Sequence, residues 1–191
     1  MSATIQVLGI SGSLRKNSVN AGLLRAAAAV APQGISVDIF DLSPIPLYNE
    51  DLLTAGVPGP VSAFKDAIAS ADALLIATPE YNYSIPGVLK NAIDWASRPI
   101  KGSPLVGKPV ALMGAGGMMG TVRAQLALRQ VAVYTNMFVL NRPEVLVVRA
   151  HEKFDASGNL VDESTRAAVR DLLEALRAWT IRLRGISPAG G

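Results

Sequence analysis

Gly9-Ile10-Ser11-Gly12-Ser13-Leu14-Arg15-Lys16-Asn17-Ser18-Val19-Asn20 follows directly on an apolar run at 5–10 and leads into a helical pattern at 20–30. The run has the form of a buried strand, and the order strand, Gly/Ser turn, helix builds an anion site. The first N–H groups of a helix have no partners within it, and the macrodipole adds partial positive charge at that end. Ser11, Ser13, Arg15, Ser18, Val19 and Asn20 are therefore candidate ligands of a phosphate, with Arg15 supplying charge and a planar fork of donors. The turn lacks the G-x-x-x-x-G-K-[ST] string of a P-loop and the G-x-G-x-x-G of a dinucleotide fold. Hydroxyls stand where those motifs place glycines. That suits a terminal phosphate monoester better than a pyrophosphate lying against bare backbone. A lone serine or asparagine here also serves as a helix cap, so the phosphate reading rests on the cluster.

Working outward, apolar runs at 37–40, 73–78, 109–113 and 145–148 alternate with helical patterns at 61–70, 86–97, 122–133 and 163–183. Strand followed by helix, repeated, implies parallel strands joined by right-handed crossovers. Five strands and five helices fit an α/β, flavodoxin-like, doubly wound five-stranded sheet of order 2-1-3-4-5 with helices on both faces. Ligands of such sheets sit beyond the carboxyl ends of the strands, near the switch point between the first and third. The proline-rich segment 43–60 is expected to be a long irregular connection. Residues 1–185 are expected to form one domain, with a flexible tail at 186–191.

Half of the 191 residues are hydrophobic and only 5% aromatic, an aliphatic bias that suits strands covered on both faces. The absence of cysteine excludes disulfides, thiolate catalysis and Cys-zinc sites. The net charge of +3 comes from interspersed residues without a basic tract, which argues against nucleic acid or a membrane surface as partner. The N-terminus has no signal-peptide pattern, and no apolar run approaches a membrane span, so the expected location is cytoplasmic.

Thr78-Pro79-Glu80-Tyr81-Asn82-Tyr83-Ser84-Ile85-Pro86-Gly87 ends the third strand. Two prolines stiffen this turn, and Pro86 suits the first turn of a helix. Tyrosines and an asparagine on a stiff turn at the switch point can hold a flat heteroaromatic ring; ordinary loop packing is the alternative. Trp95, on the helix that follows, is expected in the core or at an interface. Gly114-Ala115-Gly116-Gly117-Met118-Met119-Gly120 misses the dinucleotide spacing by one and is expected to let backbone approach a ligand edge. The single histidine, His151, lies in a charged stretch and is expected at the surface, outside any catalytic role.

These three strings together resemble the NADPH-dependent FMN reductase family, in its chromate and quinone reductase branch, over residues 4–150. The resemblance implies that Ser11, Ser13, Arg15, Ser18 and Asn20 hold the FMN phosphate. It implies that Pro79, Glu80, Tyr81, Asn82, Tyr83 and Ser84 cradle the isoalloxazine ring, with Glu80, Tyr81 and Asn82 closest. Gly114, Ala115, Gly116 and Gly117 would approach the pyrimidine edge. It further implies hydride transfer from NADPH or NADH to FMN N5, then electron transfer to a small-molecule acceptor: a quinone, chromate, an azo compound or free flavin. The cofactor carries the chemistry, and no side chain is assigned as a catalyst. A homodimer or homotetramer is implied as well. A flavodoxin-type electron carrier, without its own NAD(P)H reaction, is the alternative; the net positive charge and the Pro-Glu-Tyr-Asn string speak against it.

Overall fold

Along β1 (Ile5–Ser11), Ile5 and Val7 face one side of the sheet while Leu8 and Ile10 face the other, and both sides are buried. This two-sided burial is what a parallel sheet covered by helices requires. The computed structural model describes residues 4–185, so the tail expected at 186–191 lies outside the described residues. The remaining central strands are β2 (Ile35–Phe40), β3 (Ala73–Ala77) and β4 (Pro109–Ala115). They run parallel in the order β2-β1-β3-β4, with the fifth position beyond β4, as the alternating pattern implies.

The fifth position holds two pieces where one strand was expected. β5 (Phe138–Val139) pairs with Pro109 and Val110, and β6 (Val145–Val147) pairs with Met113 to Ala115 farther along the same edge of β4. Asn141, Arg142 and Pro143 interrupt the ladder between them. A two-residue strand is too short to leave a periodic signal, which is why only the second piece shows in the sequence.

One face is covered by α1 (Val19–Val30) and α6 (Glu163–Arg184), through Leu23, Leu24, Leu172, Leu173 and Leu176. The other is covered by α3 (Gly59–Ser70), α4 (Gly87–Ala96) and α5 (Val122–Thr135), through Phe64, Ile68, Leu89, Trp95 and Leu128. Trp95 is fully buried, its Nε1 donates to Pro46 O at 2.8 Å, and Tyr48 meets its ring edge-on at 4.9 Å. It is a core residue. Burying such an aromatic contributes roughly 2–3 kcal/mol. Asn91 adds a donor to the same Pro46 carbonyl and accepts from Tyr48 N, so the start of the proline-rich segment is tied to α4. That segment also contains a short helix, α2 (Glu50–Ala55), capped by the Asn49 side chain, where irregular chain was expected. Among the described residues no helix is long and apolar enough to cross a membrane.

Candidate functional site

The register places Ser11 level with Ala77 and Ala77 level with Met113, so β1 and β3 end together and β4 runs two residues further, to Ala115. Three turns emerge at that edge: 11–18 after β1, 78–86 after β3 and 116–121 after β4. Gly12 N donates to Ala77 O and Thr78 N to Met113 O, joining their roots.

In the first turn, Ser11 Oγ accepts from Ser13 N at 3.2 Å, and Ser13 Oγ lies 3.4 Å from Arg15 N. These bonds shape the turn and leave Arg15 exposed, with no ion pair among the described residues. Ser18 differs from its expected role. It is buried and caps α1, accepting from Asn20 N at 3.2 Å and Ala21 N at 3.3 Å. Asn20 differs too. Its side-chain amide donates to Ala115 O at 3.0 Å and its carbonyl accepts from Ala115 N at 2.9 Å, bridging α1 to the end of β4. An amide paired on both sides and only 2% exposed serves the frame. Val19 N, at the start of α1, has no acceptor among the described residues and stays available to an anion.

In the second turn, Asn82 and Tyr83 have φ of 50° and 64°, and Tyr81 and Ser84 exchange two backbone bonds of 3.0 Å. Two consecutive left-handed residues closed in this way make a type I′ hairpin tip. Asparagine tolerates that conformation; for tyrosine it costs on the order of 1 kcal/mol, a strain typical of sites built for a ligand. The geometry turns the N–H groups of Asn82 and Tyr83 away from the hairpin, and neither has a partner among the described residues. Tyr81, Asn82, Tyr83 and Ser84 are exposed, whereas Pro79 is buried.

Glu80 is not at the open edge. Its carboxylate accepts from Arg123 N at 3.0 Å and Ala124 N at 3.3 Å, and it also pairs with the Arg123 guanidinium. The Glu80 side chain is 9% exposed and the Arg123 side chain 36%. An anion at the start of α5 satisfies unpaired N–H groups and the helix dipole together. The Arg123 guanidinium also lies 3.7 Å from the Tyr83 ring centroid. Glu80 therefore ties the second turn to the third. Arg123 carried no local signal in the sequence, since its partners are reached only through the fold.

In the third turn the glycines serve the chain itself more than a ligand. A Cβ on Gly114 would lie 2.0 Å from Thr121 Oγ1 and 2.4 Å from Thr78 O, and one on Gly116 would lie 2.4 Å from Gly120 O. Ala115 N is taken by Asn20 and Gly116 N by Val147 O. Only Gly117 is open: a Cβ there would meet nothing within 4 Å. The expected approach of all four residues to a ligand edge thus narrows to Gly117, with Met118 and Met119 exposed beside it.

A model of the NADPH-dependent FMN reductase family matches residues 5–152. The chain is 52% identical over 186 residues to an NAD(P)H-dependent FMN reductase of Pseudomonas aeruginosa, covering 97% of this chain and 100% of that one. It is 44% identical over 187 residues to an NADPH:quinone oxidoreductase of Arabidopsis thaliana, covering 95% and 94%. Among solved structures it resembles FerB, a flavoenzyme NAD(P)H:(acceptor) oxidoreductase from Paracoccus denitrificans, with a TM-score of 0.85, 34% identity and coverage of 94% and 98%. A family model over most of its length, with relatives 44–52% identical from end to end, shows that the chain belongs to the NADPH-dependent FMN reductase family.

Proposed function

We propose that the first turn holds the phosphate of FMN, that the second and third turns flank its ring, and that the electrons leave to quinone-class acceptors. The family makes the chain an FMN-dependent NAD(P)H oxidoreductase. The donor set of the first turn fits the phosphate. A phosphate monoester near neutral pH carries about −1.5 to −2 charge and three acceptor oxygens. The turn offers the Arg15 guanidinium, the Ser13 hydroxyl and the Val19 N–H, while the Ser11 hydroxyl donates to Ser13 O within the turn. The second turn offers neutral donors, the N–H groups of Asn82 and Tyr83, suited to the polar edge of an uncharged ring, and the third leaves open space at Gly117. FMN, when bound, supplies the hydride and electron chemistry. The chain's own part is to fix the phosphate with charge, to direct backbone N–H groups at the ring edge where negative charge develops, and to hold those N–H groups rigid through the Glu80–Arg123 pair. The observation that carries this reading is the unpaired Arg15 in the first of three turns that meet at one edge of the sheet.

The purified protein is expected to be yellow and to bleach within seconds when NADPH is added under nitrogen, with colour returning on addition of a quinone. A bound flavin that stays oxidised under NADPH would favour the electron carrier, and colourless protein that refuses added FMN would overturn the reading. Quinone, chromate, azo dye and free flavin compared as acceptors are expected to rank quinone first.

Leu126, Val133 and Tyr134 of α5 are 56%, 82% and 67% exposed, and Met118, in the turn before α5, is 88% exposed. That apolar strip supports assembly as a homodimer or homotetramer with this face covered. Light scattering is expected to give a mass of two or four chains; a monomer at micromolar concentration would overturn it.

A further inference from the structure

A cavity of about 570 Å³ lies between the first turn and the segment 150–156, with Arg15, Asn17 and Val19 on one wall and Gly116 and Gly117 at its end. The opposite wall is formed by Ala150, His151, Phe154, Asp155 and Ala156. That wall is held at both ends. Arg149 N donates to Gly117 O and Ala150 N to Gly116 O, each at 2.9 Å. Asn17 Nδ2 donates to Ala156 O at 3.2 Å, and Arg25 reaches Gly158 O at 3.0 Å. Arg149 takes φ 49°, which turns the chain over the edge of the sheet into a short 3-10 helix, Ala150–Glu152. Buried Ala150 and Phe154 anchor the segment to the core, leaving His151 and Asp155 on the cavity side.

The charges of this wall are not equally available. Asp155 is folded onto its own turn, accepting from Asn159 N at 2.8 Å and Ser157 N at 2.9 Å. The Asn159 N–H above all holds its carboxyl below the ordinary range. Glu152 lies beside Arg149 at 3.4 Å and 3.7 Å from His151 Nε2. Arg15 and His151 are therefore the basic side chains on the cavity, and they stand on opposite walls.

We propose that His151 is a second phosphate-binding side chain, facing Arg15 across the cavity and holding the FMN phosphate when its imidazole is protonated. The inference rests on the assignment of the first turn as the phosphate site. A neighbouring dianion favours the charged form of an imidazole. Binding of the phosphate and protonation of His151 then reinforce each other. The complex is therefore tighter where the imidazole is charged than where it is neutral. The groups facing the imidazole are Glu152 and Arg149 on its own segment, Asp155 on the same wall and Arg15 opposite.

FMN release from the holoprotein, followed by recovery of flavin fluorescence after dilution, tests this at pH 5.5 and pH 8. The ratio of release rates, His151→Gln over wild type, is expected to rise from near one at pH 8 to about ten at pH 5.5. The ratio isolates the part of the pH dependence that needs the imidazole. His151→Lys, charged at both values, is expected to release FMN slowly at both. A ratio that does not change with pH, or a Lys variant that behaves as the Gln variant does, would overturn the role of His151. Arg15→Ala in the same assay separates this from the parent assignment: unchanged release at both pH values would remove the first turn as the phosphate site. Faster release from Arg15→Ala with a flat His151→Gln ratio would remove His151 alone.

Discussion

The first turn and the paired second and third turns stand at the same edge of the sheet, yet they treat charge in opposite ways. Arg15 is exposed and unpaired among the described residues, whereas Arg123 lies against Tyr83 and is matched by a carboxylate that also caps α5. A free cation at a turn is a poor contributor to stability and a good ligand for an anion. A half-buried cation matched by a carboxylate is framework. The two arginines look alike in the chain, and only their surroundings separate a binding residue from a positioning one.

The sharpest way to break this contrast lies within the glycine turn. Gly114→Ala places a methyl against Thr121 and the Thr78 carbonyl and is expected to destabilise the protein by about 3 kcal/mol in urea unfolding. Gly117→Ala meets no neighbour and is expected to stay within about 0.5 kcal/mol of wild type. Equal effects would mean that the turn is uniform and the division into frame and open edge is false.

Glu80→Ala removes a helix cap and leaves Arg123 without its partner. Because Arg123 is partly solvated, the expected loss is about 2–3 kcal/mol, below that for a fully buried pair. Thermal unfolding without FMN measures it; a loss under about 0.5 kcal/mol would place Glu80 at the ligand edge after all. Arg15→Ala is expected to show the reverse profile. FMN binding weakens by about 1.5–3 kcal/mol, as for a charge-assisted hydrogen bond, while FMN-free stability is unchanged. Titration calorimetry and unfolding without FMN check the two halves.

The smallest effect is expected far from both regions, at the start of α6. Hydrogen bonds from Ser164, then Thr165, hold the Asp162 carboxyl well below its ordinary value. A folded-state pKa that is depressed means the contribution is present above the unfolded value near pH 4 and is lost as pH falls through the acid range. The difference in melting temperature between wild type and Asp162→Ala is expected to be present at pH 7 and to shrink by pH 3. A difference that persists in acid would assign it to something other than the carboxylate cap.

Much of the fold could be read from local pattern. The strands at 5–10, 73–78 and 109–113 and all five long helices stand where periodicity placed them, because a run of β-branched and aliphatic residues ended by Gly, Pro or Ser carries its own boundaries. The split fifth strand and the helix at Glu50–Ala55 escaped because each is shorter than the window in which a period can be seen. Of the candidate site, Arg15, Tyr81, Asn82, Tyr83 and Gly117 remain at the open edge. Ser18, Asn20, Glu80, Ala115 and Gly116 are engaged by hydrogen bonds within the chain.

By itself, the sequence determined the order of strands and the three turns that meet at the edge where sheets of this order take their ligands. Each of these follows from residues within one strand, turn and helix. Tertiary structure alone decided which donors at that edge remain free. Asn20 is engaged by a backbone 95 residues away and Glu80 by one 43 residues away, and His151 comes to the cavity beside the first turn only because Arg149 and Ala150 are hydrogen-bonded to the glycine turn. A hydrogen-bonding group shows in the sequence as a capacity; whether that capacity is already satisfied depends on partners that only the folded chain brings within reach.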